Sequence, residues 1–117
     1  MKTLKKPIHV QFVCHGNICR SPMAEFVFKD LVTKANLNEY FKIDSTATSR
    51  EEIGNDTHHG TKSKLRALNI PFTPRAARQV TKADYNSADY LIIMDENNRR
   101  NLSRVIGPDA DGKVKKM

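Results

Sequence analysis

Cys14 and Arg20 stand six residues apart in the stretch VCHGNICRSPMAE, residues 13–25, with Gly16 and Asn17 between them and Ser21 and Pro22 directly after. A thiolate is a strong nucleophile. A planar guanidinium grips two oxygens of one phosphate at once, which the point charge of a lysine cannot do. A nucleophile and an anion clamp inside one short loop point to attack of sulfur on a bound phosphate. Gly16 lets the backbone come close to the anion and Asn17 tolerates a positive φ, so both suit a tight loop whose amides turn inward.

Such a loop needs a strand before it and a helix after it. Residues 8–13, IHVQFV, alternate and are bounded by Pro7, which predicts a strand ending where the motif begins. Ser21 and Pro22 read as the N-cap and first-turn pair of a helix, with Ala24, Val27, Phe28, Leu31 and Ala35 at helical spacing. At that junction the loop N–H groups have no intrahelical partner and the helix dipole adds positive potential, so an anion is welcome and the thiolate of Cys14 is favoured over the thiol. Ser21 is also placed to donate to the sulfur.

The rest of the chain alternates in the same way. A second strand is expected in YFKIDSTAT, residues 40–48, and a helix from His58 using Leu65, Leu68 and Ile70. A short helix capped by Thr81 precedes DYLIIMDENN, residues 89–98, the clearest buried strand. ENNRRNLSRVI forms the helix after it, and KVKKM at 113–117 reads as the start of a further strand. This pattern favours a parallel sheet covered on both faces.

The 117 residues suit one domain, with a net charge of +7. The basic residues are scattered without interleaved aromatics, which argues against nucleic acid and leaves an anionic substrate. No apolar run approaches the roughly 20 residues that span a bilayer. The opening MKTLKKPIHV lacks the apolar block of a secretory signal, and two cysteines cannot staple a secreted scaffold. A cytoplasmic protein with free thiols is expected. Cys14, His15, Cys19, His58 and His59 lack the ligand spacings of a zinc site. Asp95 and Glu96 read as a strand end beside the loop and a first-turn helix acid, not as an acid/base pair. Met23, Phe26, Val27 and Phe28 read as core.

VCHGNICRSPMAE resembles the Cys-x5-Arg-Ser signature of the low-molecular-weight protein tyrosine phosphatases. The resemblance runs on through DSTATSREEIGN and RAARQVTKADYNSADYLIIMDENN, over about residues 8–106. It implies a three-layer α/β/α fold of the phosphatase I type, with a four-stranded parallel sheet of order 2-1-3-4 whose last strand and helix are incomplete or absent here. It also implies a phosphocysteine at Cys14. The phosphate would be held by Arg20 and the loop of His15, Gly16, Asn17, Ile18 and Cys19, the loop shaped by Asn17, the sulfur assisted by Ser21, and Asp95 would support the site. No metal or cofactor is implied. The expected ligands are a phosphotyrosine-containing protein or a small aryl phosphate, with inorganic phosphate or sulfate able to occupy the loop and no nucleic acid or membrane partner.

Two features set the sequence apart. The family draws its general acid from an Asp-Pro loop, and this sequence has no Asp-Pro dipeptide; Asp109 and Asp111 do not match the motif. The expectation is a C-terminally truncated form of a parent of about 150 residues, able to bind phosphate and attack it but impaired on phosphotyrosine. The other feature is Ile18, an apolar entrance wall where related protein-arginine phosphatases tend to carry threonine, which favours phosphotyrosine. SREEIGN, residues 49–55, resembles the family segment that forms another wall of the cleft, with Glu51, Glu52 and Ile53 expected on the substrate side. A protein-arginine phosphatase and a phosphate-binding or substrate-trapping fragment without turnover are the alternatives. An arsenate reductase relay would need further cysteines. Cys19 is either a packed thiol or a redox partner, and an exposed Cys14 thiolate would be oxidised first and resolved by Cys19 as a disulfide.

Overall fold

The computed structural model describes residues 7–117. Residues 1–6, the first part of the segment read above for a secretory signal, lie outside the described residues. The run IHVQFVC forms strand β1 (Ile8–Cys14), which lies between β2 (Phe41–Ala47) and β3 (Tyr90–Ile93), and β4 (Val114–Lys116) pairs the far side of β3. All pairings are parallel and the order is β2-β1-β3-β4, as expected from the sequence.

Because successive strand residues point to opposite faces, β1 and β3 feed two cores. Val13, Leu91 and Ile93 meet Val80, Tyr85, Leu102 and Ile106 on one face. These come from the strap before α3 (Lys82–Ser87), from α3 and from α4 (Glu96–Ile106). Val10 and Phe12 meet Ala24 and Phe28 of α1 (Arg20–Lys34) on the other, with Phe41, Ile43, Ile92 and Met94 around them. Leu91 and Ile93 are fully buried, each worth about 1.5–3 kcal/mol of transfer free energy. Ile92 and Met94 are half-buried because they face the α1 side.

Reciprocal caps fix two helix starts. The Thr81 hydroxyl accepts from the Asp84 N–H while Asp84 accepts from the Thr81 N–H, and Asp95 and Asn98 do the same for α4. Three expectations fail. First, α1 begins at Arg20 with Cys19 as its N-cap and no side-chain cap bond, because the Ser21 hydroxyl is turned inward to the Cys14 sulfur. Second, Leu31 is 58% exposed and Ala35 only closes the helix; α1 buries Phe26 and Val32 instead, while Leu31 faces an open apolar groove of about 480 Å³ shared with Met94 and Met117. Third, α2 (His59–Ala67) buries Leu65 but leaves Leu68 exposed, since the helix stops at Ala67 and Asn69, at φ 58°, turns the chain away.

Candidate active site

Residues 15–19 connect β1 to α1 at the carboxyl end of the central strand, the place where such sheets bind ligands. Cys14 is the last residue of β1 and is buried, contrary to the exposed thiol expected, because its side chain is tucked beneath the loop that follows it. The Asn17 N–H points at Sγ from 3.3 Å and Ser21 Oγ lies 3.0 Å from it. Ser21 accepts from the Asn17 amide at 2.9 Å, and of the two acceptors in reach of its one proton the sulfur is nearer than the Thr46 carbonyl at 3.5 Å.

Asn17 is the post around which the loop winds. It has φ 60° and no solvent exposure, a conformation that asparagine adopts more readily than most residues. Its amide nitrogen donates to Ser21 and to Ser45 of β2, each at 2.9 Å. Its two oxygens are taken by Arg75, which donates to the main-chain carbonyl at 2.8 Å and to the side-chain carbonyl, where the Arg78 N–H adds a bond at 3.3 Å. Arg75 also reaches Ser45, and its Nε is 3.9 Å from Glu25, whose carboxylate accepts the Ser45 hydroxyl. Burial pushes the Arg75 guanidinium below its ordinary value while the Glu25 charge opposes that shift; it remains a cation.

Arg20 is half-exposed, and one terminal N–H group is fixed on Asp95 Oδ2 at 2.9 Å. The other Asp95 oxygen caps α4 through the Asn98 N–H. That amide first, then Arg20, holds the Asp95 carboxyl below its usual range. The cap of one helix thus aims the cation at the start of another.

His15 Nε2 meets Glu51 Oε2 at 2.9 Å, both side chains exposed. Glu52 runs so close past the loop that a Cβ at Gly16 would lie 3.2 Å from its Cγ, a second reason for glycine here. The Ile18 carbonyl accepts the His58 N–H at 2.7 Å, tying the loop to the N-cap of α2. Ile18 is half-buried and Ile53 is 51% exposed. Cys19 is exposed and accepts from the Thr61 hydroxyl at 3.3 Å, so the packed reading of Cys19 fails: α1 starts there and turns its side chain outward. Asp109 accepts from the Tyr85 hydroxyl and the Lys113 and Val114 amides, so both its oxygens are committed to a turn.

Cys14, Asn17, Arg20, Ser21 and Asp95 therefore converge, and His15, Glu51 and Glu52 line the rim. Glu25, Ser45, Arg75 and Arg78 were not singled out from the sequence. Ser45, a small hydroxyl inside a strand, is the one local hint; Arg75 reaches Asn17 from 58 residues away, and no local pattern marks it. The arrangement sets a loop amide and a hydroxyl on the Cys14 sulfur and, at the other end of the same loop, a guanidinium fixed by Asp95.

A parallel 2-1-3-4 sheet with a cysteine and an arginine at the two ends of the loop after its first strand defines an α/β protein with a Cys-x5-Arg loop. The family model described as low molecular weight phosphotyrosine protein phosphatase matches residues 9–117, and the chain belongs to that family. It is 50% identical over 95 residues to the low molecular weight phosphotyrosine protein phosphatase of Homo sapiens, covering 81% of this chain and 60% of that relative. It is 43% identical over 110 residues to the low molecular weight protein-tyrosine-phosphatase YfkJ of Bacillus subtilis, covering 94% of this chain and 70% of that one. The crystal structure of YfkJ superposes with a TM-score of 0.91 at 42% identity, covering 96% of this chain and 70% of that one.

Proposed function

We propose that this protein hydrolyses phosphate monoesters of tyrosine, with Cys14 as the nucleophile. The sulfur attacks phosphorus, an S–P bond forms, and the P–O bond to the phenol breaks, the phenolic oxygen leaving with the bond pair and taking a proton from solvent water. Water then attacks the phosphocysteine, releasing inorganic phosphate and returning the thiolate. Arg20 and the loop amides hold the phosphoryl oxygens, whose negative charge must be balanced in both steps. The Ser21 proton stabilises the sulfur as it becomes the leaving group. Ile18 offers an apolar flank for the aromatic ring, which supports tyrosine over arginine as the carrier of the phosphate. Family membership supports the reaction class.

The observation that carries this reading is the position of Cys14 Sγ, 3.3 Å from the Asn17 N–H and 3.0 Å from Ser21 Oγ at the carboxyl end of β1. Rapid mixing with an activated aryl phosphate tests it. A burst of one phenol per Cys14, abolished in Cys14→Ser while inorganic phosphate still raises the melting temperature of that variant, is the expected result. A burst that survives in Cys14→Ser defeats the proposal, as does a wild-type protein that binds phosphate and never releases phenol.

A further inference from the structure

The positive charge of the described chain is unevenly spread. Residues 96–117 carry six lysines and arginines against three acids, while residues 7–95 carry eleven against ten. On α4, Glu96 is shared between Arg99 at 3.1 Å and Lys116 at 3.5 Å. Arg100 and Arg104 meet only the amide oxygens of Asn97 and Asn101. Among the described residues neither has a carboxylate within ion-pair distance.

The same side of the molecule is grooved. A cleft of about 330 Å³ runs between α4 and β4, with Leu102, Ile106 and Val114 at its base and Arg99 and Arg100 on its rim. Asp109 also lines it, but its carboxylate is bound by Tyr85, Lys113 and Val114 as described above. The outer edge of β4 has no strand partner among the described residues. An apolar floor under unneutralised guanidinium groups suits a peptide that carries both acidic and apolar side chains, and suits it better than a nucleic acid backbone, which has no use for the floor.

The cleft is linked to the candidate active site by one helix. Asp95, the cap of α4, holds Arg20, and at 1.5 Å of rise per residue Arg99 and Arg100 lie only about 6–8 Å farther along the axis. At about 3.3 Å per extended residue that span takes about two residues, and the Arg20 side chain that separates Asp95 from the loop adds about one to three, so a chain leaving the phosphate loop reaches the cleft within about three to five residues.

We propose that the α4–β4 cleft docks an acidic segment of the protein substrate, flanking the phosphotyrosine by about three to five residues. This rests on the phosphatase reading above and adds to it a substrate class set by charge. Electrostatic complementarity of this kind acts on encounter and register more than on the bond-breaking step, so its signature is in KM and not in kcat.

The test compares the full chain with its Arg99→Glu/Arg100→Glu variant on three substrates: an activated aryl phosphate, a phosphotyrosine peptide flanked by glutamates, and the same peptide flanked by glutamines. The expected result is a KM raised about five- to tenfold for the acidic peptide only, shrinking as salt is added. A fluorescent acidic peptide without phosphotyrosine is the second arm, expected to bind the wild type and not the variant. Equal effects on both phosphopeptides, no effect on either, or displacement of the fluorescent peptide by a short DNA duplex at similar affinity would each overturn the proposal. Failure of the wild type to turn over the aryl phosphate counts against the phosphatase reading alone, because the fluorescent arm still reports docking.

Discussion

Arg75 donates to both oxygens of Asn17, the main-chain carbonyl at 2.8 Å and the side-chain carbonyl beside it. A residue in the long loop before α3 thus holds the one loop residue with a left-handed backbone, whose own N–H points at Cys14. In Arg75→Ala the Asn17 main-chain carbonyl loses its guanidinium donor, the side-chain carbonyl keeps only the Arg78 N–H, and Glu25 keeps Lys29 and Ser45 but loses the nearby Arg75 charge, which should cost about 2–4 kcal/mol of stability. A loop released by about 1 Å should lower kcat/KM for an aryl phosphate about a hundredfold. Arg75→Lys keeps the charge without the fork and should recover stability more than rate. Urea unfolding and steady-state kinetics on the same preparations check both halves.

Ser21 has one proton and three polar neighbours, with the Cys14 sulfur at 3.0 Å the nearer of its two acceptors and the Thr46 carbonyl at 3.5 Å the farther. With Asn17 donating to its oxygen at 2.9 Å, the hydroxyl is directed to the sulfur, and Ser21→Ala removes one bond to a group that carries charge when it leaves. The loss should be about 1.5–3 kcal/mol of barrier, roughly ten- to a hundredfold in turnover. If the hydroxyl acts on departure of the sulfur, the burst amplitude survives in Ser21→Ala and the steady-state rate after it falls.

Asp95 does two jobs with two oxygens, and one substitution separates them. Asparagine is as good an N-cap as aspartate, so Asp95→Asn should leave α4 in place with a change in stability of about 0.5 kcal/mol or less. It removes the charge that fixes Arg20. KM for an aryl phosphate should rise several-fold while the melting temperature hardly moves. A variant that unfolds early would show the carboxylate to matter mainly for the helix.

Asp84 ties α3 to the strap over β2. It accepts two N–H groups of Arg78, at 3.0 and 2.7 Å, along with Gln11 and Thr81. Burial by itself would push its carboxyl up, but these donors outweigh that and bring it down to about 2 from 3.8. The folded value is the depressed one, so the stability gained is complete above about pH 4 and disappears as pH falls toward 2. Its size is about 2 kcal/mol. Urea midpoints measured from pH 5 to pH 2 should fall in the wild type with a slope that Asp84→Asn flattens.

The sequence alone determined what could be carried by neighbours along the chain. Alternation in IHVQFV, the apolar run at 91–94 and the Thr81 cap specify local geometry, so the strands, their parallel character and the Cys-x5-Arg loop were legible before any coordinates, while the strand order came from the family resemblance and the capping role of Asp95 from the structure. Tertiary structure decided what depends on residues far apart. Whether Ser21 caps a helix or faces a sulfur, whether Leu31 is buried, and which cation holds Asn17 all turn on groups brought together by the sheet crossing. Glu25, Ser45 and Arg75 come from three elements, and the distances that join them to the loop exist only once β2 lies beside β1. Hydrogen bonds act over about 3 Å of space and not along the chain, so a contact between positions 17 and 75 leaves no mark on the spacing of residues near either one.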